Sequence, residues 1–209
     1  VYYLFFVTIG WYTFSPAQFI RETALGTLSS PFYFLVTLAQ FILLAPLFQN
    51  LTRRYHPVLL IPLAMGLTWL SSMYFNSILQ IFCPGGSFRY SDRIFTSYLI
   101  YYLAGCCTGA RYEKLPRFLA ENRPLLNTAA VFFALADGFI SLLAFSGRRA
   151  APYLELIHTL YILSTIFALH GWAIRRGALK GIGGRFWKSA DQASYLIYLY
   201  HSLVITIFN

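Results

Sequence analysis

Seven apolar stretches, at 1–14, 31–51, 57–75, 94–110, 125–146, 152–174 and 192–208, take up most of this 209-residue chain. A bilayer's hydrocarbon core is about 30 Å thick and asks for roughly 20 apolar residues per helical crossing. One soluble core of this size cannot hide so many such stretches, so the pattern predicts an all-α, polytopic bundle of about seven transmembrane helices. Charged residues make up only 11% of the chain, against about 25% in ordinary globular domains. The formal charge of +9 sits on loops between the stretches rather than on one face, which excludes nucleic acid as the partner and points to the lipid bilayer.

The connections are short, and no repeat, low-complexity tract or soluble insertion interrupts them, so residues 1–209 read as a single transmembrane domain. The chain starts and ends inside apolar runs, with no Met and no charged leader, so both ends are expected to continue in a longer protein. Pro31, Pro57, Pro124 and Pro152 fall near the starts of stretches, where a missing N–H costs nothing. Cys83, Cys106 and Cys107 have neither disulfide nor metal spacing and read as small packing residues, and no metal site is expected.

Orientation follows from the basic residues of alternate loops. Loops 52–56, 111–124 and 175–191 hold Arg53, Arg54, Arg111, Lys114, Arg117, Arg123, Arg175, Arg176, Lys180, Arg185 and Lys188. The opposite set holds Arg21, Arg89, Arg93, Arg148 and Arg149. Eleven against five places the first set in the cytoplasm. Within it, 111–123 has the make-up of a short amphipathic helix lying on the membrane.

Ionisable groups inside spans are costly and mark candidate sites. Asp137 lies about 20 Å from the inner end of the fifth stretch at ~1.5 Å per residue. His158, with Glu155 one turn before it, opens the sixth at comparable depth, and His201 lies in the middle of the seventh. A carboxylate that orients a histidine would make a general base there. The plainer reading is one interhelical hydrogen bond per group. On the inner side, His170, Arg175, Arg176, Lys180 and Arg185 surround a glycine-rich basic segment, 177–188, read as a loop able to hold a nucleotide phosphate or simply as a positive-inside anchor.

Three segments together resemble the acyltransferase 3 family of integral membrane acyltransferases. The first is Ser30-Pro31-Phe32-Tyr33-Phe34-Leu35 running on to Ala45-Pro46-Leu47, with Phe34 where the family usually has Trp. The second is Tyr98-Leu99-Ile100-Tyr101-Tyr102-Leu103-Ala104-Gly105, followed by the basic segment. The third and most specific is Ala193-Ser194-Tyr195-Leu196-Ile197-Tyr198-Leu199-Tyr200-His201. The resemblance implies a multi-pass protein of the cell membrane, in bacteria the inner one. It implies transfer of an acetyl- or succinyl-type group from acyl-CoA, a co-substrate with no bound cofactor, to a hydroxyl of a glycan or lipid-linked sugar outside. It places the principal catalytic His and its Arg partner in spans ahead of this chain. By position it carries over His201, Tyr198, Ser194 and Tyr195 as acceptor-cavity residues, beside Asp137 and His158; His170, Arg175, Arg176, Lys180 and Arg185 fall on the acyl-CoA side. The competing expectation is a transporter or sensor in which Asp137 and His201 form a relay.

Overall fold

The computed structural model describes residues 2–28, 32–148, 156–176 and 181–208. Their regular structure is helical throughout, with no strand among the described residues. In chain order the helices are α1 (Tyr2–Thr8), α2 (Pro16–Leu25), α3 (Tyr33–Arg54), α4 (Pro57–Phe82), α5 (Leu99–Gly109), α6 (Leu115–Glu121), α7 (Arg123–Phe145), α8 (Leu156–Arg176) and α9 (Gly181–Phe208). Short 3-10 turns at Ser91–Arg93, Phe95–Tyr98 and Tyr112–Lys114 lead into α5 and α6.

Among the described residues four helices, α3, α4, α7 and α8, are long and apolar enough to cross a bilayer. The 26 residues of α4 span about 39 Å. On α7 the side chains of Val131, Leu135, Phe139 and Leu142 fall three or four residues apart and are largely exposed, the face expected of a helix turned to lipid. Pro57 opens α4 at its first turn, and the His56 side chain caps it by accepting the Val58 N–H at 3.4 Å.

The other three predicted crossings take different forms. The first is the seven residues of α1, followed by a turn and then α2. The fourth is broken: Ser71 Oγ of α4 lies 2.6 Å from Thr96 Oγ1 and 3.3 Å from Ser97 Oγ, and this segment winds as a 3-10 turn before α5 runs for 11 residues. What α5 lacks in length it has in burial, with Leu99, Ile100, Leu103, Ala104 and Cys107 all buried. The seventh belongs to α9, whose 28 residues are long enough but diluted by Asp191, Gln192, three tyrosines and His201. The glycine-rich segment read as a loop is helical from Gly181 onward, while 177–180 lie outside the described residues. Glycine in a helix costs only about 1 kcal/mol, a penalty that the long apolar continuation of α9 overcomes.

The chain divides into two units, one of residues 1–43 with 178–209 and one of 44–177. In the first, Tyr3, Phe6 and Leu28 form a small core, and the Tyr3 hydroxyl donates to the Ser15 carbonyl at 2.9 Å. Gly26 ends α2 with φ +62, and a Cβ there would come within 2.6 Å of the Phe32 carbonyl oxygen, so only glycine fits the turn.

In the second unit, α7 and α8 are the most extensively packed pair and run antiparallel, so that Arg123 and Arg175 line one pocket at one end and Asp137 faces His158 farther along the pair. Helix α5 lies between α4 and α8. Thr68 of α4 accepts the backbone N–H of Ile100 at 3.1 Å, and the Tyr101 hydroxyl donates to Thr159 of α8 at 3.3 Å. The segment expected to lie as an amphipathic helix is α6: Leu115 and Leu119 are buried, and Arg117 and Glu121 pair on the outer side at 2.7 Å. Cys107 packs inside as expected of a small apolar residue, whereas Cys83, at the end of α4, is exposed.

Candidate functional site: an Asp–His pair beside a helix-lined cavity

The antiparallel register of α7 and α8 places His158 Nδ1 3.0 Å and 3.1 Å from the two carboxylate oxygens of Asp137. A carboxylate can only accept, so Nδ1 carries the proton and donates it, and Nε2 of the neutral ring keeps its lone pair. The pair is half-buried, with side-chain exposures of 32% for His158 and 18% for Asp137, so the imidazole keeps an open flank. The Tyr161 ring, one turn on, stands 6.1 Å from the imidazole. Chemically this is a fixed tautomer with a basic nitrogen available, held by an anion that would stabilise the imidazolium form.

Thr159, next to His158 in sequence, is buried and takes the hydrogen bond from Tyr101. From Tyr101 a cavity of about 190 Å³ follows the seam between α5 and α8, lined by Gly105, Thr108, Leu163, Phe167 and His170. Thr159 and His170 are eleven residues apart, about 17 Å along the helix. The α8 wall of the cavity runs from Leu163 to His170, towards the basic end of that helix, with Tyr101, Thr108 and His170 as its polar lining.

The remaining candidates divide. His201 is exposed on α9, and its Nδ1 donates to the Tyr198 carbonyl one turn back at 2.6 Å. Tyr198 is half-buried and meets the edge of Phe34 with centroids 5.5 Å apart, which joins the first and third segments of the family pattern. Ser194 turns back to the Asp191 carbonyl at 2.7 Å, and Tyr195 is exposed. On the inner side, His170 lines the α5–α8 cavity, Arg176 lies over the Trp172 ring at 5.4 Å, and Arg185 is exposed on α9. Arg175 lines a separate pocket. Lys180 and Glu155 lie outside the described residues.

Sequence reasoning by depth brought Asp137 and His158 to one level, and the structure joins them. It missed Tyr101 and Thr159, whose contact crosses 58 residues; the one available signal was Tyr101's place in the second family-like segment. A family model described as an acyltransferase domain matches residues 1–209. No curated protein and no solved structure matches the chain.

Proposed function

The chain belongs to the acyltransferase 3 family, and from that premise we propose that this multi-pass membrane protein moves an acetyl- or succinyl-type group from cytoplasmic acyl-CoA to a hydroxyl of a glycan or lipid-linked sugar on the other side. The observation that carries the reading is the Asp137–His158 pair, because acyl transfer to a hydroxyl needs a proton acceptor and Nε2 of His158 is one. The hydroxyl proton passes to Nε2 as the oxygen attacks the thioester carbonyl. The tetrahedral intermediate then collapses with cleavage of the C–S bond, and the departing thiolate takes the proton. The carboxylate of Asp137 stabilises the imidazolium in between. The principal His that the resemblance assigns to preceding spans and the pair described here then share the acid–base work. His201, Tyr198, Ser194 and Tyr195 belong to the acceptor side, and His170, Arg176, Lys180 and Arg185 to the donor side, where Arg175, expected there from the sequence as well, lines the pocket beside α6.

Membranes containing the full-length protein, incubated with acyl-labelled acyl-CoA, test this directly: label should move to a glycan or lipid-linked acceptor. Solute uptake without label transfer would favour a transporter instead.

The proposed orientation rests on the excess of Lys and Arg in alternate loops. In a version freed of Cys83, Cys106 and Cys107, an impermeant thiol reagent added outside should label a cysteine placed at Ser91 or Ser146 and miss one placed at Gly183. The reverse pattern would move the acyl-CoA side to the other face.

A further inference from the structure

Where α6, α7 and α8 meet, a pocket of about 110 Å³ lies at the basic ends of the two long helices, floored by Leu119, Phe167 and Gly171 and edged by Arg123, Asn127 and Arg175. The site follows from antiparallel packing, since Arg123 begins α7 and Arg175 all but ends α8. Arg175 donates from Nε to the Gly171 carbonyl at 3.1 Å, which ties down its stem and leaves its terminal NH₂ groups for another acceptor. Gly171 lies against Leu119, where an added Cβ would sit in ordinary contact at 3.6 Å. Glu121, the carboxylate of α6, is taken up by Arg117 at 2.7 Å. Among the described residues no carboxylate pairs with Arg123 or Arg175.

Two guanidiniums and an amide over an apolar floor, at the depth where helices leave the hydrocarbon, form a receptor for one anionic group with an apolar tail. We infer that this pocket binds the phosphate of an anionic phospholipid, with Arg123 and Arg175 on the phosphate, Asn127 on the glycerol side and the acyl chains along the floor. The apolar floor, with Leu119, Leu126, Phe167 and Ile174 among its lining, favours a lipid over free phosphate. The inference does not depend on the acyl-transfer chemistry.

The test compares the full-length protein in nanodiscs of phosphatidylcholine alone with nanodiscs containing phosphatidylglycerol, and adds inorganic phosphate to the first in a separate arm. Phosphatidylglycerol should raise the thermal midpoint and remain bound in native mass spectra. The Arg123→Gln/Arg175→Gln variant should match wild type in phosphatidylcholine and bind phosphatidylglycerol about 10- to 30-fold more weakly. The Arg123→Lys/Arg175→Lys variant should recover part of that loss. Arg53→Gln/Arg54→Gln, which removes two exposed cations elsewhere, should leave the binding intact. Equal weakening by both Gln pairs would reduce the effect to general surface charge and overturn the site. Reproduction of the full shift by inorganic phosphate would overturn the lipid as its occupant.

Discussion

His158→Ala should lower acyl transfer per folded molecule by about 10²- to 10⁴-fold, the range set by loss of a positioned proton acceptor. The imidazole is held to both oxygens of Asp137 on a neighbouring helix, so its tautomer is fixed and its Nε2 is the atom left for an incoming hydroxyl. His158→Gln keeps a hydrogen-bonding side chain but cannot take up a proton near neutral pH, and should stay within a few fold of the alanine variant. Asp137→Asn preserves shape but removes the charge that stabilises the imidazolium, with an expected loss of about 10- to 100-fold in turnover. Because the two residues act as a unit, the double variant should be hardly worse than His158→Ala alone. A purely structural pair would behave differently. Interhelical side-chain hydrogen bonds in membranes are worth about 0.6 kcal/mol on average, so abundance would fall while turnover per folded molecule stayed unchanged. Turnover with labelled acyl-CoA, normalised to folded protein, decides between them.

Thr68→Val should destabilise the fold by about 2 kcal/mol or more. The Thr68 hydroxyl oxygen accepts the Ile100 N–H at the first turn of α5, and both residues are fully buried, at 2% and 0% exposure. Valine fills the same space with no acceptor, leaving a backbone donor in apolar surroundings, where such a group costs about 1–3 kcal/mol and more inside a bilayer. The first-turn N–H groups of a helix have no partner within it, so α5 depends on this oxygen from α4. Thr68→Ser retains the acceptor and should recover most of the loss. Thermal unfolding in a fixed detergent measures both; a serine variant no more stable than the valine one would show that packing of the methyl group, not the hydrogen bond, holds α5.

These two sites differ in how far the sequence announces them. Helices α3, α4, α7 and α8 were legible because an uninterrupted apolar run near bilayer length has one inexpensive solution in lipid. Asp137 and His158 were legible for the same reason: once two neighbouring spans are assigned, counting residues fixes depth, and their short connection makes them antiparallel. The break before α5 was not legible, because Thr96 and Ser97 wind as a 3-10 turn with their hydroxyls against Ser71, some 25 residues away. Tyr101 and Thr159 are hidden by the same kind of distance. The helical start of α9 escaped because glycine signals a turn locally, whereas its continuation decides the outcome. The Arg123–Arg175 pocket needs two helix ends side by side, a juxtaposition that positive-inside counting registers only as charge.

In the function proposed above the protein transfers an acyl group, with a proton acceptor supplied by the Asp137–His158 pair. The most direct test is a sided one: full-length protein in proteoliposomes, acyl-labelled acyl-CoA supplied on the face of the basic loops, and a hydroxylated glycan or lipid-linked sugar on the opposite face. Wild-type protein should attach label covalently to the opposite-face acceptor, and equally folded His158→Ala protein should do so at about a hundredth of that rate or less. Label reaching the acceptor at the same rate in both, or solute crossing with no label transferred, would contradict the proposed function.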